Sequence, residues 1–316
     1  MDRRQFLLAA AAAPLGLRAS ATAATRAPRA LVTCDTELRI AVVDLAAGRP
    51  VKSIPVPAGP NSIQLVGGNA AVVCHTTIGA VTILDGTRLA VRHVLHDFVE
   101  PRYTVAHPDG RHAFVTDSGS AEVVTLDLAT GRTVGRVKLG EWPRHLTIDA
   151  AGGTLWVGLA NASEHLAIVD VFDLSRPKLI RKLTPPFLAH DLGFLPGDRR
   201  LWVTSGDSGA MVTYNRAGQT QLHLPATTAP QHVTFDNHHA YVTSGYAGTF
   251  TVHSLVNGQV LATTRIPVGS FNVQAGFGRI LTPSLDNGTL CVLDQQGTLL
   301  NQIQVASACH DACFVL

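Results

Sequence analysis

Five dipeptides of this 316-residue chain place a histidine or an arginine beside another polar side chain, at intervals of roughly forty residues or, for the last, twice that. They are Arg102-Tyr103, Arg144-His145, His190-Asp191, Gln231-His232 and His310-Asp311. Imidazoles and carboxylates are ligands for first-row metals, and guanidinium forks hold carboxylates and phosphates. His145, His190, His232 and His310, with Asp191 and Asp311, are therefore candidate ligands for a divalent metal ion of open identity. Arg102, Tyr103, Arg144 and His75 are candidate ligands for a small anionic molecule, and the two sets can coexist. Metal binding needs neutral imidazoles, so affinity is expected to fall below the ordinary imidazole pKa of about 6.5. Adjacent side chains on a straight strand point to opposite faces. One member of each His-Asp pair is thus expected to face the ligand while the other orients its neighbour. A plainer role, polar caps bonded to backbone and water, fits the same residues, and both readings stay open here.

The elements that position these pairs are short strands. A strand-like segment ending in a polar residue and a turn recurs as "AVVDLAAG", "VTILDG", "VVTLDLATG", "AIVDVFDL", "MVTYNRAG", "FTVHSLVNG" and "CVLDQQG". Its markers, Asp44, Asp85, Asp127, Asp170, Asn215, His253 and Asp294, define seven units of about forty residues. Each unit divides into four short β-like segments, as in "PRHLTID", "GTLWVGL", "LAIVDV" and "KLIRKL". The stretch "HPDGRHAFVTDSGSAEVVTLDLATGRTVGRVKLG" resembles the YVTN repeat of bacterial β-propellers, and the resemblance covers nearly all of 29–316. It implies an all-β, seven-bladed propeller of four-stranded antiparallel blades. The polar pairs, with Asn61-Ser62 and Phe271-Asn272 in the remaining units, would then open the innermost strands and converge on one funnel. The last segment, "HDACFVL", has no hairpin after it, and "RALVTCD" has no inner segment before it. Pairing them would complete the first blade and close the ring without a free edge.

Charge sets limits on partners. The formal net charge is +2 and falls to zero without residues 1–23, and no basic stripe of the kind that tracks nucleic acid is present. The leader "MDRRQFLLAAAAAPLGLRASATAATRA" resembles a twin-arginine signal, with Arg3-Arg4, Phe6-Leu7, an Ala-rich run and "ATA" at 21–23, although Asp2 and Leu8 depart from the pattern. The expected organisation is a leader over 1–23, a short segment over 24–28 and the propeller over 29–316. The leader implies export to the periplasm or beyond. Its apolar run is too short to span a bilayer, and no later segment reads as a span. The expected partners are a metal ion or small anion, with another exported protein as a further candidate, and the chain is expected to be monomeric.

Two functions compete. The first is non-catalytic binding of a metal or small anion in the funnel. The second is a metal-dependent hydrolase or lyase, because "EWPRHLTID" is similar to a stretch of propeller lactonases. That resemblance implies His145 as base and Arg144 as electrophile, although no G-x-S-x-G motif is present. A weaker analogy is to propellers with redox cofactors, such as nitrous oxide reductase and haem-binding nitrite reductases, whose haem-attachment motifs this chain lacks. Of the five cysteines, Cys34 and Cys309 are expected near each other across the closing hairpin, where an oxidising compartment would permit a bridge; free and bridged states both stay open. Cys74, Cys291 and Cys313 read as small core residues. His223 and His253 are expected on solvated surface, and His107, His112, His238 and His239 at the opposite rim. His93, His96 and Asp97 are expected in a long connection that forms a surface loop, or else a lid.

Overall fold

The computed structural model describes residues 27–316 except 196, 198, 199 and 227, so the expected leader lies outside the described residues. The described residues form twenty-eight strands, numbered β1 to β28 in chain order, and two single turns of 3-10 helix. They make seven four-stranded antiparallel sheets arranged as a seven-bladed β-propeller. No helix among the described residues is long and apolar enough to cross a membrane.

The recurrent acid of the repeat has a local cause. In β2 (Arg39–Asp44), the terminal Asp44 accepts the N–H groups of Ala46 and Ala47 at 3.0 and 2.9 Å, closing the turn to β3 (Arg49–Pro55). Asp85 and Asp127 do the same one and two blades on. This is a side-chain-closed turn of the Asx kind. His253 takes the equivalent place but is 1% exposed, with Nδ1 2.9 Å from the Gly258 carbonyl and Nε2 2.8 Å from the Thr251 hydroxyl. It is a turn-closing core residue, not the surface residue expected.

Hydrophobic layers lie between blades. Leu31, Ile40 and Val42 of one blade pack with Ile63, Ala71 and Val73 of the next, and Trp156, Trp202 and Tyr241 are fully buried in other layers. Two packed faces explain why the middle strands are apolar throughout. Ring closure follows the expected register: β1 (Arg29–Cys34) pairs with β28 (Ala312–Val315), Arg29 opposite Val315 and Val32 opposite Ala312. Cys34 and Cys309 meet at the end of this pairing, as the alignment of the closing segments suggested, and stand as two buried, hydrogen-bonded thiols. The hydrogen bond from Cys309 lowers the pKa of Cys34, and the same bond raises that of Cys309. The long connection also differs from expectation. Ala90–Leu95 is an outer strand, β7, so only 96–100 remain as a loop, and His93 on that strand lies 3.1 Å from the Ala129 carbonyl.

Candidate metal centre at the channel mouth

Four inner strands are only three residues long, and three of them, β12 (Leu146–Ile148), β16 (Leu192–Phe194) and β20 (Val233–Phe235), carry the site. Just before each, two residues oppose one on the neighbouring strand. The N–H of His190 donates to the Thr204 carbonyl at 2.8 Å, while the N–H of Thr204 donates to the Asp191 carbonyl at 2.9 Å. Arg144 and His145 stand against Gly158 in the same way, and Gln231 and His232 against Thr243. These are β-bulges, which break side-chain alternation and re-aim side chains. The expected strict alternation therefore fails at the site. His190 and Asp191, though adjacent, both reach the mouth region.

Threonines link two of these bulges, and the irregular start of the strand that carries Tyr103, to the next blade; at Arg144-His145 the place is taken by Gly158. The Thr204 hydroxyl lies 3.0 Å from the Asp191 N–H, which donates to it, and donates its own proton to the Gln231 carbonyl at 2.6 Å. Thr116 stands likewise between Tyr103 and the Arg144 carbonyl at 2.8 Å, and Thr243 donates to the Phe271 carbonyl. These threonines were not singled out from the sequence. Their signal was there, in the recurring "VT" of "AFVTD", "LWVTS" and "AYVTS".

The outcome is a triangle of imidazoles. His145, His190 and His232 have ring centroids 5.0, 4.8 and 5.1 Å apart, and one nitrogen from each lies within 4.8 Å of the others. His145 is 2% exposed and neither of its ring nitrogens has a hydrogen-bond partner. Burial holds its pKa well below the ordinary value, helped by Arg144 and His232, and holds His190 at about 3, helped by His232 and Arg144. Lone pairs are therefore present at neutral pH. Tetrahedral coordination sets nitrogens about 3.3 Å apart, so the widest pair must close by roughly 1.5 Å, within reach of side-chain rotation. Beneath the triangle the channel encloses about 200 Å³, with Ser62, Gln64, Asn272, Gln274, Thr147 and Thr234 among its lining.

The other candidate residues have different positions. Asp191 lies 3.4 Å from Nδ1 of His232 and accepts the Val233 N–H at 3.0 Å, so it orients the histidine of the next blade. Asp311 accepts the N–H groups of Ile63 and Ala312 at 3.0 and 2.8 Å, and burial raises its pKa to about 8. Its oxygens hold two strands rather than pointing at the triangle. His310 stands outside the group of three, its Nδ1 3.3 Å from the Asn272 amide. His75 uses both nitrogens inside its own blade, with the Ala58 carbonyl at 3.1 Å and the Thr82 hydroxyl at 2.8 Å, and so leaves no atom for an anion. Arg102 pairs with Glu100 and stacks 4.7 Å over Trp142, whose Nε1 donates to the other Glu100 oxygen. Glu100, absent from the sequence-derived set, thus neutralises Arg102. Arg144 lies over the Tyr103 ring, 5.6 Å from its centroid, and that ring lies 4.2 Å from His145. The Tyr103 hydroxyl and Arg144 Nε are both buried without a hydrogen-bond partner.

No family model matches the chain, and no curated protein matches it. Solved structures do. Apo AztD from Citrobacter koseri is similar with a TM-score of 0.69 and 13% identity, over 91% of this chain and 97% of that one. Hydrazine synthase from Kuenenia stuttgartiensis gives 0.65 and 14%, over 80% and 88%. Dihydro-heme d1 dehydrogenase NirN, in complex with DHE, gives 0.66 and 10%, over 90% and 74%. At these identities the likeness is one of fold, and function must be argued from the site.

Proposed function

We propose that this chain is an exported, YVTN-type propeller that binds a first-row divalent metal ion through His145, His190 and His232, without turning over a substrate. One observation carries the reading: the buried His145 has two unpartnered nitrogens beside two further imidazoles. A buried polar atom without a partner costs about 1–3 kcal/mol, and a metal that uses the lone pair removes that cost. Three neutral nitrogen donors suit zinc or copper over calcium or magnesium, and they leave a coordination position open. The twin-arginine-like leader supports export of the folded protein. The hydrolase reading draws on the same residues, but it asks a substrate to reach His145, which is 2% exposed.

Calorimetric titration of the metal-free protein with zinc, copper, manganese and calcium tests the proposal. Zinc or copper is expected to bind one per chain, and His232→Ala to weaken binding by more than about 100-fold with the fold retained. Flat traces for all four ions, or equal affinity in the variant, would overturn it.

A further inference from the structure

The charges around the triangle are unbalanced. The three imidazoles bring nitrogen donors to the site. Arg102 has its counter-ion in Glu100. Asp191 faces His232 and is already engaged with the Val233 N–H. Asp311 faces two backbone N–H groups, and burial favours its neutral form. Arg144 is different. It forms no ion pair among the described residues, and its Nε is buried and unpartnered. Its guanidinium lies 5.6 Å from the centroid of the Tyr103 ring, which is itself 4.2 Å from His145, and the buried Tyr103 hydroxyl beside it has no acceptor. A divalent ion entering the triangle would meet this cation in a low-dielectric setting, where like charges repel strongly.

We infer that the site takes its metal together with a small carboxylate, held by Arg144 and Tyr103 and completing the open coordination position. The inference rests on the metal reading above. A carboxylate answers each loose end at once. It supplies a negative charge to balance Arg144, it accepts from the guanidinium in the planar geometry that Arg favours, and it accepts a hydrogen bond from the tyrosine hydroxyl. Its remaining lone pairs face the ion. The channel beneath, with its amide and hydroxyl lining, offers space for a short polar tail.

Binding of the two must then be mutually favourable by one and the same factor. The test is zinc titration of the metal-free protein in a sulfonate buffer, with and without acetate, set beside acetate titration of the zinc-loaded and metal-free protein. Wild type is expected to bind zinc at least about tenfold more tightly with acetate, and acetate to gain equally from zinc. Arg144→Gln should lose the acetate effect and bind zinc alone more tightly than wild type, because the repulsion is gone. A merely structural arginine would not give that reversal. Arg144→Lys should restore part of the coupling, and Tyr103→Phe should reduce it if Arg144→Gln does not fold. Zinc binding that ignores acetate in the wild type would overturn this inference and leave the metal site standing. Absence of zinc binding in every buffer would overturn both.

Discussion

The Asp191 oxygen that lies 3.4 Å from Nδ1 of His232 also accepts the Val233 N–H at 3.0 Å. One carboxylate thus fixes both the backbone and the ring of a histidine on the next blade. Asp311 grips Ile63 in the same way across the closing blade boundary. Asp191→Asn should therefore lower zinc affinity about tenfold, as loss of a ligand-orienting carboxylate does, while the imidazoles remain. Calorimetry on the folded variant checks this; unchanged affinity would mean that Asp191 serves the strand alone.

Thr204→Val removes a hydroxyl at nearly constant volume. It leaves the Asp191 N–H without its side-chain acceptor and the Gln231 carbonyl without its donor. The expected loss in urea unfolding is about 1–3 kcal/mol. A variant as stable as wild type would show that the blade-to-blade hydroxyl link contributes little.

The pH dependence of the metal-free protein has two opposing parts. Burial holds His190 and His310 at about 3 and His145 well below its ordinary value. Unfolded, each titrates near 6.5. The unfolded chain therefore binds protons that the folded one refuses, and stability is lost as pH falls from about 6.5 toward 3. Asp311 acts in reverse: with its pKa raised to about 8, its contribution is present below about 4 and is lost as pH rises through 8. Urea unfolding across pH 4 to 9 should show a maximum between these limits. Asp311→Asn should flatten the alkaline side, whatever it does to the absolute level.

The same depressed values bear on the proton competition expected in metal binding. Ordinary imidazoles would lose zinc below about pH 6.5, but His145 and His190 offer no proton competition there. Nitrogen-15 spectra should show both rings neutral at pH 5. Protonation of either near pH 6.5 would contradict the packing described.

Cys34 and Cys309 are buried thiols in mutual contact at the ring closure. Exchange with oxidised glutathione should link them, with two glutathione thiols released, once local opening admits the reagent. By chain entropy the bridge would add about 5 kcal/mol, less any strain. Peptide mapping under non-reducing conditions should find the 34–309 link; two free thiols after prolonged oxidation would count against it.

Much of the architecture was legible because its cause is local. A polar side chain that closes the turn after its own strand marks that turn wherever it recurs, and seven such residues, five of them Asp, count the blades. The polar pairs were legible as strand openings for the same reason. What escaped depends on contacts between blades. A bulge cannot be read from a strand alone, so His190 and Asp191 were expected on opposite faces. His75 and His253 looked like strand-end residues free to bind or face water, but their burial comes from neighbouring segments. The depression of His145 likewise arises from burial, to which the Tyr103 ring of the preceding blade, about forty residues back along the chain, contributes, with the adjacent Arg144 adding to it.

The pairing of Arg29–Val32 with Ala312–Val315 also governs the order of assembly. The blade that contains β1 to β3 is the first to be synthesised and the last to be finished. Until Ala312–Val315 are made, β1 has an open edge, a template for wrong partners. Six blades can form from neighbouring segments, whereas this one must close a loop of nearly the whole described chain. Contacts of such long range are slow to form. Closure should therefore be the late step of folding, and the trio at the mouth, which needs the ring at its final diameter, should gain metal affinity only after that step.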